Sequence, residues 1–328
     1  MATIKDVAQL AGVSTATVSR VFSGKPPVSQ ETQAKVRQAA RQLGYEPNLL
    51  GSALRMARTH KLLAVAPSLE DPFCERAAQG IQWKAASLGY DVLFGITHHS
   101  PALEQKCIDQ LRSRLWDGAV FLSFEGEPSS LVRLAREFPV VQCLTYLEGL
   151  DIPVAAPDYA LAAAHAVETL CGLGHRRVAL LSEGGPGPEA LKRHGYRQAL
   201  EQAGILPDPA LSVEGAVDYD SARRITRELL HLSFPPTAIL CGSDVTALAA
   251  LEQAREMGLA ADVSICGFGG TELCLHSDPP LSTVSLPLER AGQIAAELLC
   301  RRIEGGLLKR RQVLLGHELI LRDSVHKK

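Results

Sequence analysis

The sequence predicts an α/β protein in two parts, a three-helix amino-terminal headpiece and a larger body of two lobes built on parallel sheets. Three observations carry this expectation. The 328 residues suffice for two or three domains with real cores. From Lys61 onward, short apolar runs alternate with longer amphipathic stretches, and the pattern runs through twice. Charge is divided unevenly: residues 1 to 60 hold eight Lys/Arg against three acids, the remainder 26 against 33, behind a net charge of -2. A basic module on an acidic body is the footprint of a part that meets phosphates joined to one that does not, with a merely solvated basic face as the alternative.

The headpiece elements follow from caps and spacing. Thr3 sets a hydroxyl at an N-cap with Asp6 three residues on, and Val7, Leu10 and Ala11 then recur at helical spacing. Gly12 ends that helix, and Ser14 caps a second one running to Phe22, with Val13, Val18 and Val21 on its apolar side. Two short helices across a glycine turn make a helix-turn-helix. A third helix from Ser29 places Val36, Ala39, Ala40 and Leu43 on one face to close a small core. In such a motif the start of the second helix reaches base edges in the major groove. Thr15, Ala16 and Arg20 are therefore the candidate base readers: Arg20 as a fork for guanine, Ala16 as a methyl for thymine, Thr15 as a hydrogen-bonding group. Ser14, Thr17 and Ser19 suit phosphate oxygens, or equally local capping, and Thr3 joins the candidate DNA contacts. After Tyr45-Glu-Pro-Asn, Leu49, Leu50, Ala53, Leu54 and Ala57 have helical spacing in a segment too short to hold a helix unaided. It should order on binding, unless its leucines pack on the body.

The body reads LLAVAP, a helix from Phe73 to Leu88, YDVLFGIT, a helix from Leu103 to Leu115, GAVFLS, a helix from Ser129 to Glu137, and PVVQCLT. After Ala155 the series restarts with helices Tyr159 to Leu173, Lys192 to Ala203 and Ser243 to Met257 between the strands RRVALLS, TAILCG and VSICGFG. Such units make parallel sheets covered by helices, and ligands bind at the carboxyl ends of their strands. The end HELILRDSVHKK lacks a leucine heptad for tetramerisation and reads as a disordered tail.

Other classes fail on specific residues. No apolar run reaches the 18 or more residues of a membrane span, and the amino terminus lacks a signal peptide's long apolar stretch, so a cytoplasmic protein without membrane partners is expected. The eight cysteines form no CxxC and are expected to be reduced and packed, with no metal site. The loop Glu183-Gly-Gly-Pro-Gly-Pro-Glu follows a strand, but GxGxxG is unmet, two prolines remove donors, and no GxxxxGK[ST] occurs. His98-His99 has no evident third partner for metal or acid-base work. Neither an enzyme nor a cofactor is expected.

Residues 1 to 48 as a whole, with the string VSTATVSR at their centre, closely resemble the DNA-binding headpiece of the LacI/GalR family of bacterial transcription regulators. The resemblance continues through Asp71-Pro-Phe, Asp158-Tyr159, Gly174-His-Arg-Arg-Val, Gly195-Tyr196, Ser243-Asp244 and Gly267-Phe268. It implies a headpiece over 1–46, a hinge over 47–60 and, over 61–328, an effector-binding and dimerisation core similar to periplasmic sugar-binding proteins. It further implies a homodimer on a pseudo-palindromic double-stranded DNA operator, with Leu54 pushed into the minor groove, acting as a repressor under a small-molecule effector (nucleoside, sugar or phosphorylated metabolite). Carried over by position, the effector contacts are Phe73, Cys74, Phe124, Lys192, Ser243, Asp244 and Gly269, with a cap or hinge role open for Asp244. The dimer faces would include Phe73 to Leu88 and Ser243 to Met257.

Three departures from the family pattern stand out. Gly51 and Ser52 replace the usual alanine and arginine; glycine costs a helix about 0.5 to 1 kcal/mol, so a weakly formed hinge is expected. Lys192, with Arg193 beside it, stands where an arginine is usual and offers no planar fork. Gly269 stands where an aspartate is usual. Should Lys192 and Arg193 face the cleft, an anionic effector becomes the expectation; a pocket without ligand, or one serving a protein partner, is the other outcome.

Overall fold

Helix α1 (Ile4–Ala11) starts where Thr3 donates its backbone N–H and its hydroxyl to the Asp6 carboxylate, 2.8 Å each, and these bonds hold the Asp6 carboxyl below its usual range. Gly12 closes it at φ 67°, a left-handed conformation that glycine adopts without cost. Helices α2 (Thr15–Ser23) and α3 (Gln30–Leu43) complete the headpiece, Ser29 capping α3 by accepting from the Thr32 N–H. The core is Val7, Ala8, Val18, Val21, Val36, Ala39 and Ala40. Leu10 and Leu43 lie outside it, 51% and 37% exposed, because the stripe that meets the core runs through Ile4, Val7, Ala8 and Ala11 on α1 and through Val36, Ala39 and Ala40 on α3. The computed structural model describes residues 2–23, 28–46, 58–147, 149–185, 187–308 and 310–328; Gly51, Ser52, Leu54 and most of the expected hinge lie outside them.

The chain divides into two compact units, Met1–Thr59 and His60–Lys328. In the second unit, the first lobe carries β1 (Lys61–Ala66), α4 (Pro72–Ser87), β2 (Asp91–Ile96), α5 (Pro101–Arg112), β3 (Gly118–Phe121), α6 (Pro128–Glu137), β4 (Val140–Cys143) and β5 (Val154–Pro157). The second continues through α7 (Tyr159–Gly172), β6 (Val178–Ser182), α8 (Pro188–Gln202), β7 (Ser212–Glu214), α9 (Tyr219–Leu230), β8 (Ala238–Cys241), α10 (Asp244–Glu256), β9 (Ser264–Gly269), the short α11 (Leu273–His276) and β10 (Ser282–Ser285). Helix α12 (Leu288–Ile303) and strands β11 (Gln312–Leu315) and β12 (Glu318–Ile320) end the chain.

The sheets are ordered β11-β5-β4-β3-β1-β2 and β12-β10-β9-β8-β6-β7, the same winding twice. All pairings are parallel except β12 on β10, and strands β3, β4, β5, β6, β8 and β9 are buried along their whole length, as sheets covered on both faces require. The lobes are not consecutive halves of the sequence. After β10, α12 returns to pack on α4 and on β3 to β5, and β11 joins the first sheet before β12 joins the second. Three crossovers result, at 157–159, 285–288 and 315–318. Helices α4 and α12 touch backbone to backbone: a Cβ on Gly80 would lie 2.0 Å from the Glu289 carbonyl oxygen, and one on Gly292 2.0 Å from that of Ala77.

Several boundaries shift from expectation. Helix α8 begins at Pro188 rather than Lys192, proline being suited to a first turn. The tail is ordered, since β12 pairs with β10 and the Ser324 hydroxyl donates to the Ile265 carbonyl at 2.7 Å. All eight cysteines are free and seven are buried; burial pushes the Cys143 thiol up to about 12, so it packs as an apolar group. No helix among the described residues is long and apolar enough to cross a membrane.

Candidate functional site

In the headpiece, periodicity alone decides what α2 shows to solvent. Val18 is buried and Ser14, Thr15, Ala16 and Arg20 are exposed, with Thr17 and Ser19 between these extremes. The Ser14 hydroxyl accepts from the Thr17 N–H at 3.1 Å and shares a hydrogen bond with the Thr17 hydroxyl at 3.0 Å, so both serve the local cap in this state. The Thr3 hydroxyl is likewise engaged by Asp6. Thr15 and Ala16 are exposed in the first turn of the helix and Arg20 in its last.

The second site lies in the body, where the carboxyl ends of both sheets face each other. Asp71 caps α4 by accepting from the Phe73 N–H at 3.1 Å, which fixes the Phe73 ring at the mouth of the first lobe. From the second lobe come Tyr159 and Phe268, fully buried and stacked with centroids 6.5 Å apart. The Lys192 side chain ends among these rings: its Nζ lies 4.9 Å from the Phe268 centroid, 5.7 Å from Phe73 and 5.8 Å from Tyr159. The same nitrogen donates to Glu189 Oε1 at 2.5 Å and to the Gly242 carbonyl at 2.8 Å, and Lys192 is only 4% exposed. The ammonium is thus satisfied from every side by its own chain.

The neighbouring groups are largely acidic. Burial raises the Glu183 carboxyl above its usual range, the charges of Glu189 and Asp71 add to this, and Lys192 and His99 oppose it. Arg193 meets Glu214 at 2.9 Å and donates through Nη2 to the Gly185 carbonyl at 2.9 Å, while its Nη1 is buried with no hydrogen-bond partner among the described residues.

Other candidate residues fall differently. Asp244 is buried, accepting from the Thr271 N–H at 2.7 Å and from the Thr283 hydroxyl, which ties the end of β9 to β10. Ser243 caps α10, accepting from the Thr246 N–H at 3.2 Å. Gly269 has φ 137°, a conformation side chains rarely adopt, and a Cβ there would lie 3.2 Å from Asp244 Oδ2 and 3.3 Å from the Phe73 ring. An aspartate at 269 would be strained and would face a carboxylate already in place. Cys74 is turned into the core beneath α4, 4% exposed, because it follows Phe73 by one helical position and so points about 100° away. Phe124 packs edge-on against Phe121 at 5.7 Å, with the cluster under α5 and α6. His99 pairs with Glu125 at 3.0 Å, and no group of three or more metal-ligating side chains occurs among the described residues.

Sequence reasoning did not place Glu189, Tyr159, Phe268 or Gly242 in the site, although Tyr159 and Phe268 stand among the residues that carry the family resemblance. Glu189 had a readable signal, a carboxylate three residues before a lysine on one helix. Of the aromatic walls only Phe73 was named as a contact; that Tyr159 and Phe268 meet it has no local signal, since three distant segments supply them.

Comparison with known proteins follows the same division of the chain. Residues 3–48 match the family described as bacterial regulatory proteins, lacI family, and residues 167–325 match the periplasmic binding protein-like domain. The chain is 35% identical to the HTH-type transcriptional repressor CytR of Escherichia coli K12, over 98% of this chain and 96% of that protein. It is 32% identical to the HTH-type transcriptional regulator DegA of Bacillus subtilis, over 98% and 97%. Among solved structures, the lac repressor dimer bound to operator and the anti-inducer ONPF aligns over 99% of both chains with a TM-score of 0.88 and 26% identity.

Proposed function

Because the chain belongs to the lacI family of bacterial regulatory proteins, we propose that it represses transcription as a homodimer, each headpiece reading one half of a two-fold DNA operator. As a member of that family it is a DNA-binding transcription regulator under small-molecule control, and no enzyme. The observation that carries the finer reading is the face of α2, where Thr15, Ala16 and Arg20 stand exposed opposite the buried Val18. Arg20 reads guanine, Ala16 meets a thymine methyl and Thr15 hydrogen-bonds a base edge. Ser14, Thr17 and Thr3 exchange their local partners for phosphate oxygens, Ser19 joins them, and Leu54 wedges the minor groove at the centre of the operator.

In this reading the chain works as a headpiece over 1–46, a hinge over 47–60 and a core over 61–328, in the cytoplasm where its DNA lies. Dimerisation uses the outer face of α4, where Trp83 is 65% exposed and Leu88 and Leu93 lie close by in sequence, 42% and 45% exposed. The effector binds between the lobes at Phe73, Lys192 and Gly269, with Asp244 and Ser243 shaping the wall rather than touching it. Its control of DNA binding requires different affinity in two lobe arrangements, which the hinge transmits. The paired states of Lys192 and Arg193 favour a neutral or cationic effector over a phosphorylated one.

Selection from a pool of random duplexes by the full-length protein tests the DNA reading. Enrichment of a two-fold symmetric sequence, bound more weakly as salt rises, is expected. Recovery of unenriched DNA overturns it.

A further inference from the structure

We propose that the interlobe cleft is an ammonium site and that Lys192 fills it from within, holding the lobes together without a free ligand. The surroundings of Nζ are those used to recognise a primary amine. Three aromatic faces lie within 4.9 to 5.8 Å, a carboxylate oxygen is at 2.5 Å and a backbone carbonyl at 2.8 Å. Phe73 is the wall that the first lobe brings, and it closes against Gly269, whose lack of a side chain leaves room for the ring. The Arg76 guanidinium reaches the Gly270 carbonyl across the same gap at 3.4 Å.

A second observation points to a site larger than the lysine needs. The other oxygen of Glu189, Oε2, is buried with no hydrogen-bond partner among the described residues, and lies near the backbone of Gly242. The Ser182 hydroxyl, at the end of the neighbouring strand β6, is also buried without one. Unmet buried acceptors next to a satisfied ammonium suit an amine that carries further N–H or O–H donors. A diffusible effector able to replace Lys192 is therefore a small primary amine bearing such donors. That last step rests on the cleft being the effector site; the ammonium site itself rests on the geometry alone.

The test is thermal unfolding of the full chain as wild type and as Lys192→Ala, without DNA, in n-propylammonium chloride, with potassium chloride and n-propanol at equal concentration as controls. Wild type should respond to the amine no more than to potassium chloride. Lys192→Ala should melt several degrees lower and recover most of that loss with the amine and not with the alcohol. A folded Lys192→Ala that the amine does not restore overturns the proposal, as does a wild type that gains as much as the variant. Should Lys192→Ala not fold, a cycle of Lys192→Met and Phe73→Leu decides: the double variant should lose less than the two single losses together, and simple additivity overturns the proposal. Operator binding by wild type is a separate measurement, so failure of the DNA reading and failure of the ammonium site are told apart.

Discussion

The face of α2 and the interlobe cleft solve recognition in opposite ways. The DNA-facing candidates of α2 lie within residues 14 to 20, so two turns of helix and one buried valine orient them all. The cleft draws on Phe73, Tyr159, Glu189, Lys192, Gly242, Phe268 and Gly269, which meet only after the chain has crossed between lobes. A local site can therefore be specified by periodicity and caps, and it stays open to solvent for its partner. An assembled site is specified by packing, and here it has closed around a charge of its own.

The contrast can be broken most severely at the assembled end. Gly80→Ala forces a Cβ to within 2.0 Å of the Glu289 carbonyl oxygen in the α4–α12 contact. A loss of about 3 kcal/mol in the stability of the body is expected from such overpacking, because a backbone atom must give way. Unfolding in denaturant measures it, and an unchanged midpoint would show that the two helices can part freely.

At the local end, Arg20→Ala should lower affinity for the selected operator by roughly 10- to 100-fold, as loss of one base-reading arginine does, while the melting of the body stays as in wild type. Titration by fluorescence anisotropy measures both operator and scrambled DNA. Equal weakening on the two sequences would make Arg20 a phosphate contact instead of a reader.

The smallest effect expected sharpens the role of the crossovers. His317 sits between β11 and β12, hydrogen-bonded to His165 at 2.9 Å, and burial with the nearby His165 keeps its pKa below the usual 6.5, against the pull of Asp158. The folded state therefore holds this imidazole neutral while the unfolded chain binds a proton below about pH 6.5. Its contribution to stability is present above that pH and is lost as the pH falls. His317→Gln should flatten the decline in melting temperature between pH 7.5 and 5.5; parallel profiles for variant and wild type would remove the pair from the account. His175, also buried with a lowered pKa, sustains some decline in the variant.

Particular residues show where reading the sequence stops. Ser29 and Gly12 announce the helix ends they make, because capping and left-handed turns need only neighbouring backbone. Leu10 and Leu43 have helical spacing yet stay exposed, since the apolar face of a helix is wider than the strip its partners cover. Lys192 is legible as a departure from the family, and its i,i+3 carboxylate Glu189 lies in plain view. The gathering of Phe73, Tyr159 and Phe268 around it is not legible, and neither are the inward turn of Cys74 or the lean of Phe124 onto Phe121.

The sequence by itself determined the class of the protein, the headpiece, the alternating units of the body and which residues of α2 face solvent, because each depends on chain neighbours within a turn or a strand. Only the tertiary structure decided that α12 and β11 return to the first lobe, that Asp244 is consumed by Thr271 and Thr283, and that the cleft holds a lysine in an aromatic cage. Those outcomes are set by which surfaces exclude water together and which buried charges must be paired, and both are properties of the assembled chain.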